Sequence, residues 1–224
     1  PIRWYMLTNA QPWDNLKFDM NGVDEVRRKF FGTLYNTYSF FALYANVDGF
    51  DASQEVVPYA ERPELDKWII SKLNTLVKDV VECYENYDIT GAGRLIQDFV
   101  CDQVSNWYVR LGRKRFWGGG MSQDKLSAYQ TLHEVLKDIA VLAAPIAPFY
   151  MDHLYCDLVE GADSVHFVLM PEPDAEVVDK DLEERMSLAQ RASSMVLALR
   201  RKVNIKVRQP LSKIIIPVMS EKVR

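Results

Sequence analysis

The sequence has little of what compact catalytic or metal sites are built from. Three cysteines, Cys83, Cys101 and Cys156, are scattered through 224 residues and form no C-x-x-C pair. Neither a disulfide framework nor zinc-ligand spacing is expected, and no metal ligand is assigned. The three histidines, His133, His153 and His166, fall in unrelated segments without an H-E-x-x-H. Pairing Ser122 or Ser127 with His133 would need an orienting acid that the sequence does not supply, so no catalytic residue is assigned. No apolar run approaches the roughly 18 residues that cross a bilayer. The opening PIRWYMLTNAQPWDN has neither the basic start nor the apolar stretch of a signal peptide. Scattered thiols suit a reducing compartment, so a cytoplasmic location is expected. Gly118-Gly119-Gly120 lacks the spacing of a phosphate loop and follows a helical pattern, which reads as an interhelical loop.

What is present is helix. Hydrophobic residues make up 48% and charged residues 26%, enough apolar surface for a sizeable core. Apolar residues recur at three- and four-residue steps from Asp24 to Ala45, with Val26, Phe30, Leu34, Tyr38 and Phe41 on one face. A second helix carries Leu65, Trp68, Ile69, Leu73, Leu76, Val80 and Tyr84. A third opens at Thr90 as N-cap. A fourth starts near Ser122 and breaks at Ala-Pro-Ile-Ala-Pro, where Pro145 and Pro148 cannot donate a helical hydrogen bond. Further helices are expected over Phe149–Val159 and from Asp181 to Val203. Ser164–Leu169 and Lys213–Val218 read as short strands. The fold class is therefore mainly all-α, an antiparallel helix bundle with short connecting strands near the C-terminus.

The chemically informative stretch is Ser105 to Trp117. At about 100° per residue, Val100, Val104, Trp107 and Leu111 form an apolar stripe. Gln103, Asn106, Arg110, Arg113, Lys114 and Trp117 form a second stripe. Guanidinium forks grip phosphate oxygens, amides read base edges or riboses, and an indole offers a stacking surface. A basic helix face that merely solvates the bundle fits the same pattern. From Ser194 to Arg224 eight cations face the single acid Glu221, while residues 171–185 hold seven acids. The formal net charge of −4 thus hides a segregated distribution, and a local field is what attracts a polyanion.

Several segments closely resemble isoleucyl-tRNA synthetase, a class I aminoacyl-tRNA synthetase. They are Arg3–Met6, Trp13–Phe18, Asp66–Leu73, Ser105–Trp117, Ala144–Phe149, Ser164–His166 and Asn204–Leu211, in the family's order. The family's His-x-Gly-His signature and Lys-Met-Ser-Lys-Ser loop are absent, and Gly120–Lys125 only echoes the latter. The resemblance implies a part of that enzyme, with residues 1–48 connecting to the catalytic core. Residues 49–203 would be the helical anticodon-binding domain, and 204–224 would begin a further C-terminal region. It implies binding of the anticodon stem-loop of isoleucine tRNA by a monomer, with no DNA and no membrane partner. The full enzyme uses ATP and Mg, whereas this stretch is expected to hold no cofactor and to be inactive alone. Arg110, Arg113, Lys114 and Arg115 would contact phosphates, and Lys206 and Arg208 would also bind the tRNA. Asn106, Trp117 and Gln209 would meet bases. Trp107 and Tyr108 are expected in the core, and Trp4 and Trp13 partly exposed near the N-terminus. The corresponding domain of valyl-tRNA synthetase, or a helical protein-interaction scaffold without RNA binding, are the alternatives.

Overall fold

The computed structural model describes residues 1–215, and every regular element among them is helical. Helix α1 spans Ile2–Asn9. A first rod then joins α2 (Met20–Val26), a π-helical step over Arg27–Phe31 and α3 (Gly32–Asp48). Asp19 caps it by accepting from the Asn21 amide at 3.0 Å, so the rod starts earlier than the Asp24-Glu25 pair expected from sequence. Those two acids instead pair with Arg27, Arg28 and Lys29 on the exposed surface, where ion pairs add little. Helix α4 follows over Glu64–Glu85.

A second rod runs from α5 (Ile89–Asp98) through a π-helical segment, Phe99–Val109, into α6 (Arg110–Trp117). Its N-cap is Asp88, which accepts from the Gly91 amide at 2.9 Å. Thr90 is not the cap. Its hydroxyl points to α1 and reaches the carbonyls of Leu7 at 2.6 Å and Ala10 at 3.2 Å. Helices α7 (Gln123–Ala143) and α8 (Pro148–Leu158) complete the bundle, followed by 3-10 turns at Val165–Phe167 and Ala175–Val177. Ser122 caps α7 as the sequence indicates, accepting from the Lys125 amide at 3.2 Å.

These elements form one compact unit, Pro1–Val178. Helix α4 packs on α5 and α7, α7 also meets α3, α6 and α8, and α1 lies on α5. Trp68, Ile69 and Leu73 of α4, Leu132, Leu136 and Ile139 of α7, and Leu34 and Phe41 of α3 fill the core. The α1–α5 approach needs a glycine: a Cβ on Gly93 would lie 2.5 Å from Thr8 Cγ2. Arg94 then caps the C-terminal carbonyls of α1, donating to Thr8 O at 2.8 Å and Asn9 O at 3.2 Å.

Two expectations about the ends are corrected. Trp4 is fully buried rather than exposed. It stacks on Phe30 with centroids 4.1 Å apart, and its indole N–H donates to Gln97 Oε1 at 3.1 Å. Trp13 is 75% exposed, as expected. Ser164–Leu169 forms no strand. A strand needs a neighbour for its amides and carbonyls, and the described residues offer none. Asp152 takes that place, accepting from the Ser164 hydroxyl at 2.6 Å and the Val165 amide at 2.9 Å. Residues 213–215 are likewise without strand structure, and the rest of that expected strand lies outside the described residues.

The second unit begins at Asp179, whose side chain caps α9 (Lys180–Lys202) by accepting from the Leu182 amide at 2.9 Å. At the other end Asn204, with φ of 56°, takes the left-handed position that closes a helix. The Ile205 amide donates to Arg200 O and the Asn204 amide to Arg201 O, a Schellman arrangement.

Candidate nucleic-acid interface

The second rod does not turn at the pitch of an ordinary α-helix. In the π-helical segment the hydrogen bonds run from i to i+5, so each turn holds more residues. The buried series becomes Val100, Val104, Tyr108, Gly112 and Phe116, evenly four apart. This corrects the sequence-derived stripe in three places. Leu111, expected in the core, is 54% exposed, Trp107 is half-buried, and Phe116 is buried in its stead. Tyr108 is buried as expected.

The outward face inherits the same four-residue step. Asn106, Arg110 and Lys114 lie along one line, with Arg113 and Trp117 beside it, and all five are exposed. The Arg113 guanidinium sits 6.0 Å above the Phe40 ring of α3, a contact that orients it while leaving its N–H donors to solvent. Trp117 is 58% exposed at the last position of α6. Arg110, Arg113 and Lys114 form no ion pair among the described residues.

Arg115 turns inward and is committed. Its Nη1 and Nη2 grip Asp66 Oδ1 and Oδ2 at 2.6 and 2.8 Å, a bidentate fork. Its Nε lies 3.1 and 3.0 Å from the Asp124 oxygens, and Nη2 also donates to Asp124 O at 2.8 Å. Asp66, fully buried in the first turn of α4, further accepts from the Tyr108 hydroxyl at 2.8 Å and the Ser127 hydroxyl at 2.6 Å. One carboxylate thereby ties α4, the second rod and α7 together. Burial alone would lower the pKa of Arg115, but the hydrogen bond and charge of Asp66 overcome that and hold it charged. Burial, reinforced by the Asp66 charge, drives the Tyr108 phenol well above its usual range.

A second buried cation, Lys125, was not singled out in the sequence. It is 2% exposed and donates to Gly118 O at 2.6 Å and to Asp48 Oδ2 at 2.5 Å. The Tyr129 hydroxyl shares that Asp48 oxygen. No local spacing announces either cluster: Arg115 and Asp66 are 49 positions apart and Tyr129 and Asp48 are 81 apart.

Lys206, Arg208 and Gln209 lie in the second unit, all exposed, on the turn that follows α9. That turn is wrapped on one guanidinium. Arg200 Nη2 donates to Lys206 O at 2.6 Å, to Val207 O at 3.0 Å and to Gln209 O. Arg200 is thus the scaffold of the turn, and the cations beside it are left to face solvent.

An all-helical bundle with an exposed basic-aromatic helix face offers cations and a stacking surface of the kind that suits a folded polyanion. In line with this, residues 66–215 match the family described as the anticodon-binding domain of tRNA ligase, and the chain belongs to that family. Among curated proteins it is 66% identical over 226 residues to the isoleucine–tRNA ligase of Bacteroides fragilis, covering 99% of this chain and 20% of that protein. It is 60% identical over 224 residues to that of Porphyromonas gingivalis, covering 100% of this chain and 20% of the relative. A more distant relative, from Clostridium tetani, is 41% identical over 221 residues, at 96% and 21% coverage. The chain spans about a fifth of the length of the curated relatives it matches. No helix among the described residues is long and apolar enough to cross a membrane.

Proposed function

We propose that this chain is the tRNA-recognition part of an isoleucine–tRNA ligase and that it holds the anticodon stem-loop of isoleucine tRNA. The observation that carries the reading is the exposed line of Asn106, Arg110, Arg113, Lys114 and Trp117 on one continuous helical rod. Arg110, Arg113 and Lys114 contact phosphates and set the register of the RNA, which carries no sequence information by itself. Asn106 and Trp117 meet bases, by hydrogen bonding and stacking respectively. Lys206, Arg208 and Gln209 contribute from the second unit. Arg115, engaged by two aspartates, serves the face by holding the rod rather than by touching RNA.

In this reading residues 49–203 carry the recognition face, 1–48 lead back to a catalytic core while packing through α1–α3 in the same compact unit as α4–α8, and 204–224 start a further region. Ligation of isoleucine with ATP and Mg belongs to the whole enzyme, a cytoplasmic monomer, and this chain alone activates no amino acid. A titration of the chain against isoleucine and valine tRNAs tests the reading, with ATP–pyrophosphate exchange as the companion assay. Preference for isoleucine tRNA and no exchange are expected. Equal, salt-independent binding of both tRNAs, or none, would return the scaffold alternative.

A further inference from the structure

The corner between α6 and α7 is where the proposed face ends, and it is built from three consecutive glycines. Trp117 is followed by Gly118, Gly119 and Gly120, and a Cβ placed on any of them would meet nothing within 4 Å. Gly120, with φ of 77°, has a conformational reason to be glycine, whereas Gly118 is extended with φ of −67° and ψ of 148°. Three glycines in a row carry a large conformational entropy. The last carbonyls of α6 also lack helical partners. An indole on such a corner would be held poorly unless something fixed the backbone behind it.

Lys125 is placed to do that. Its ammonium, nearly sealed from solvent, donates to Gly118 O at 2.6 Å, one residue beyond Trp117, and is anchored at 2.5 Å on Asp48 at the C-terminus of α3. Asp48 is held in turn by the Tyr129 hydroxyl, four residues along α7 from Lys125. The Lys125 and Tyr129 hydrogen bonds keep the Asp48 carboxyl below its usual range, so it is a charged anchor. The clamp therefore joins α3, the glycine corner and α7 through one buried cation. Arg115 supports the same corner from the α6 side by donating to Asp124 O at 2.8 Å.

We propose that Lys125 is a positioning residue for the RNA-binding face: it never touches RNA, but by clamping Gly118 it fixes where Trp117 is presented. This rests on the tRNA-binding reading above. Two consequences separate it from a phosphate contact and from a role in stability alone. Losing Lys125 lowers affinity without lowering the salt dependence, because no counterion is released at its position. Stiffening the corner by other means also restores affinity, since Gly118 and Gly119 have room for a methyl group and neither sits at positive φ.

The test uses the 224-residue chain labelled with 5-fluorotryptophan, with the Trp117 resonance assigned by Trp117→Phe. Isoleucine tRNA transcript is titrated at several salt concentrations. Lys125→Met is expected to broaden or shift the Trp117 fluorine signal and to weaken tRNA binding about tenfold at unchanged salt slope. Adding Gly118→Ala and Gly119→Ala to Lys125→Met is expected to recover about two- to fivefold of that loss. Should Lys125→Met fail to fold by circular dichroism, Asp48→Asn, which weakens the same clamp without changing volume, takes its place with the same expected order. A salt slope lower by about one unit would make Lys125 a phosphate contact and overturn the proposal. An unmoved Trp117 signal, or no recovery on stiffening, would also overturn it. If the unsubstituted chain shows no salt-dependent tRNA binding, the functional reading fails, and the Trp117 signal still decides whether the clamp exists.

Discussion

Lys114 and Arg115 are adjacent cations on one helix, and their surroundings differ in almost every respect. Lys114 stands in solvent on the line of Asn106 and Arg110, with no ion pair among the described residues. Arg115, with 15% of its side chain exposed, bridges a fully buried aspartate and a second one at the start of α7. The first kind of cation is available to a ligand and contributes little to folding. The second kind contributes to folding, its donors engaged by those two acids. Counting charges along the sequence cannot separate the two, because the difference lies in which acids the fold brings from far away.

The contrast breaks most visibly in stability. Arg115→Met strands Asp66 in the core, and removing one partner of a buried pair costs about 3–5 kcal/mol. Lys114→Met is expected to cost less than about 0.5 kcal/mol. Urea unfolding of the two variants measures both, and equal losses would erase the distinction.

Asp138 on α7 shows what burial does to an acid without such a fork. Its ion-pair partner among the described residues is Lys137, at 3.7 Å. Burial raises its carboxyl to about 6 against the pull of Lys137, and Glu134 adds to the rise. A carboxyl that binds its proton more tightly folded than unfolded favours the fold at low pH, and that contribution fades as pH rises from about 4 through 6. Asp138→Asn should therefore raise stability above pH 7 by on the order of 2 to 3 kcal/mol and have little effect near pH 4. Thermal melts at the two pH values give the answer, and a gain at low pH alone would reverse the sign of this account.

The exposed cations should respond in binding and not in folding. Arg110→Glu and Arg113→Glu are each expected to weaken tRNA binding about tenfold or more at moderate salt, with melting temperatures unchanged. The smallest effect belongs to Leu111. Its truncation to alanine should shift stability by no more than about 0.5 kcal/mol, whereas Phe116→Ala should cost about 3 kcal/mol or more. The reverse order would restore the regular helical wheel.

Much of the fold was legible in the residues. Ser122 as cap, the glycine run, and the Pro145 and Pro148 break mark where helices start and stop, and the structure places α7 and α8 accordingly. The exposed face was legible too, because Asn106, Arg110, Arg113, Lys114 and Trp117 fall outward at either pitch. What was not legible depends on tertiary context. At the wider π-helical pitch Leu111 leaves the buried series and Phe116, unassigned in the sequence, joins it. Trp4 is covered by Phe30 and Phe31, and Asp88 rather than Thr90 caps α5 because α1 needs the Thr90 hydroxyl. The fate of Arg115 hung on Asp66, far off in sequence.

The central claim, that the outward face of the second rod grips tRNA phosphates, is tested most directly by the salt dependence of tRNA binding. The unsubstituted chain and the double variant Arg110→Glu, Arg113→Glu should be titrated side by side. The account predicts a slope of log affinity against log salt of about −3.5 to −4.5, flattened by about two units in the double variant. Identical slopes for the two proteins would contradict it.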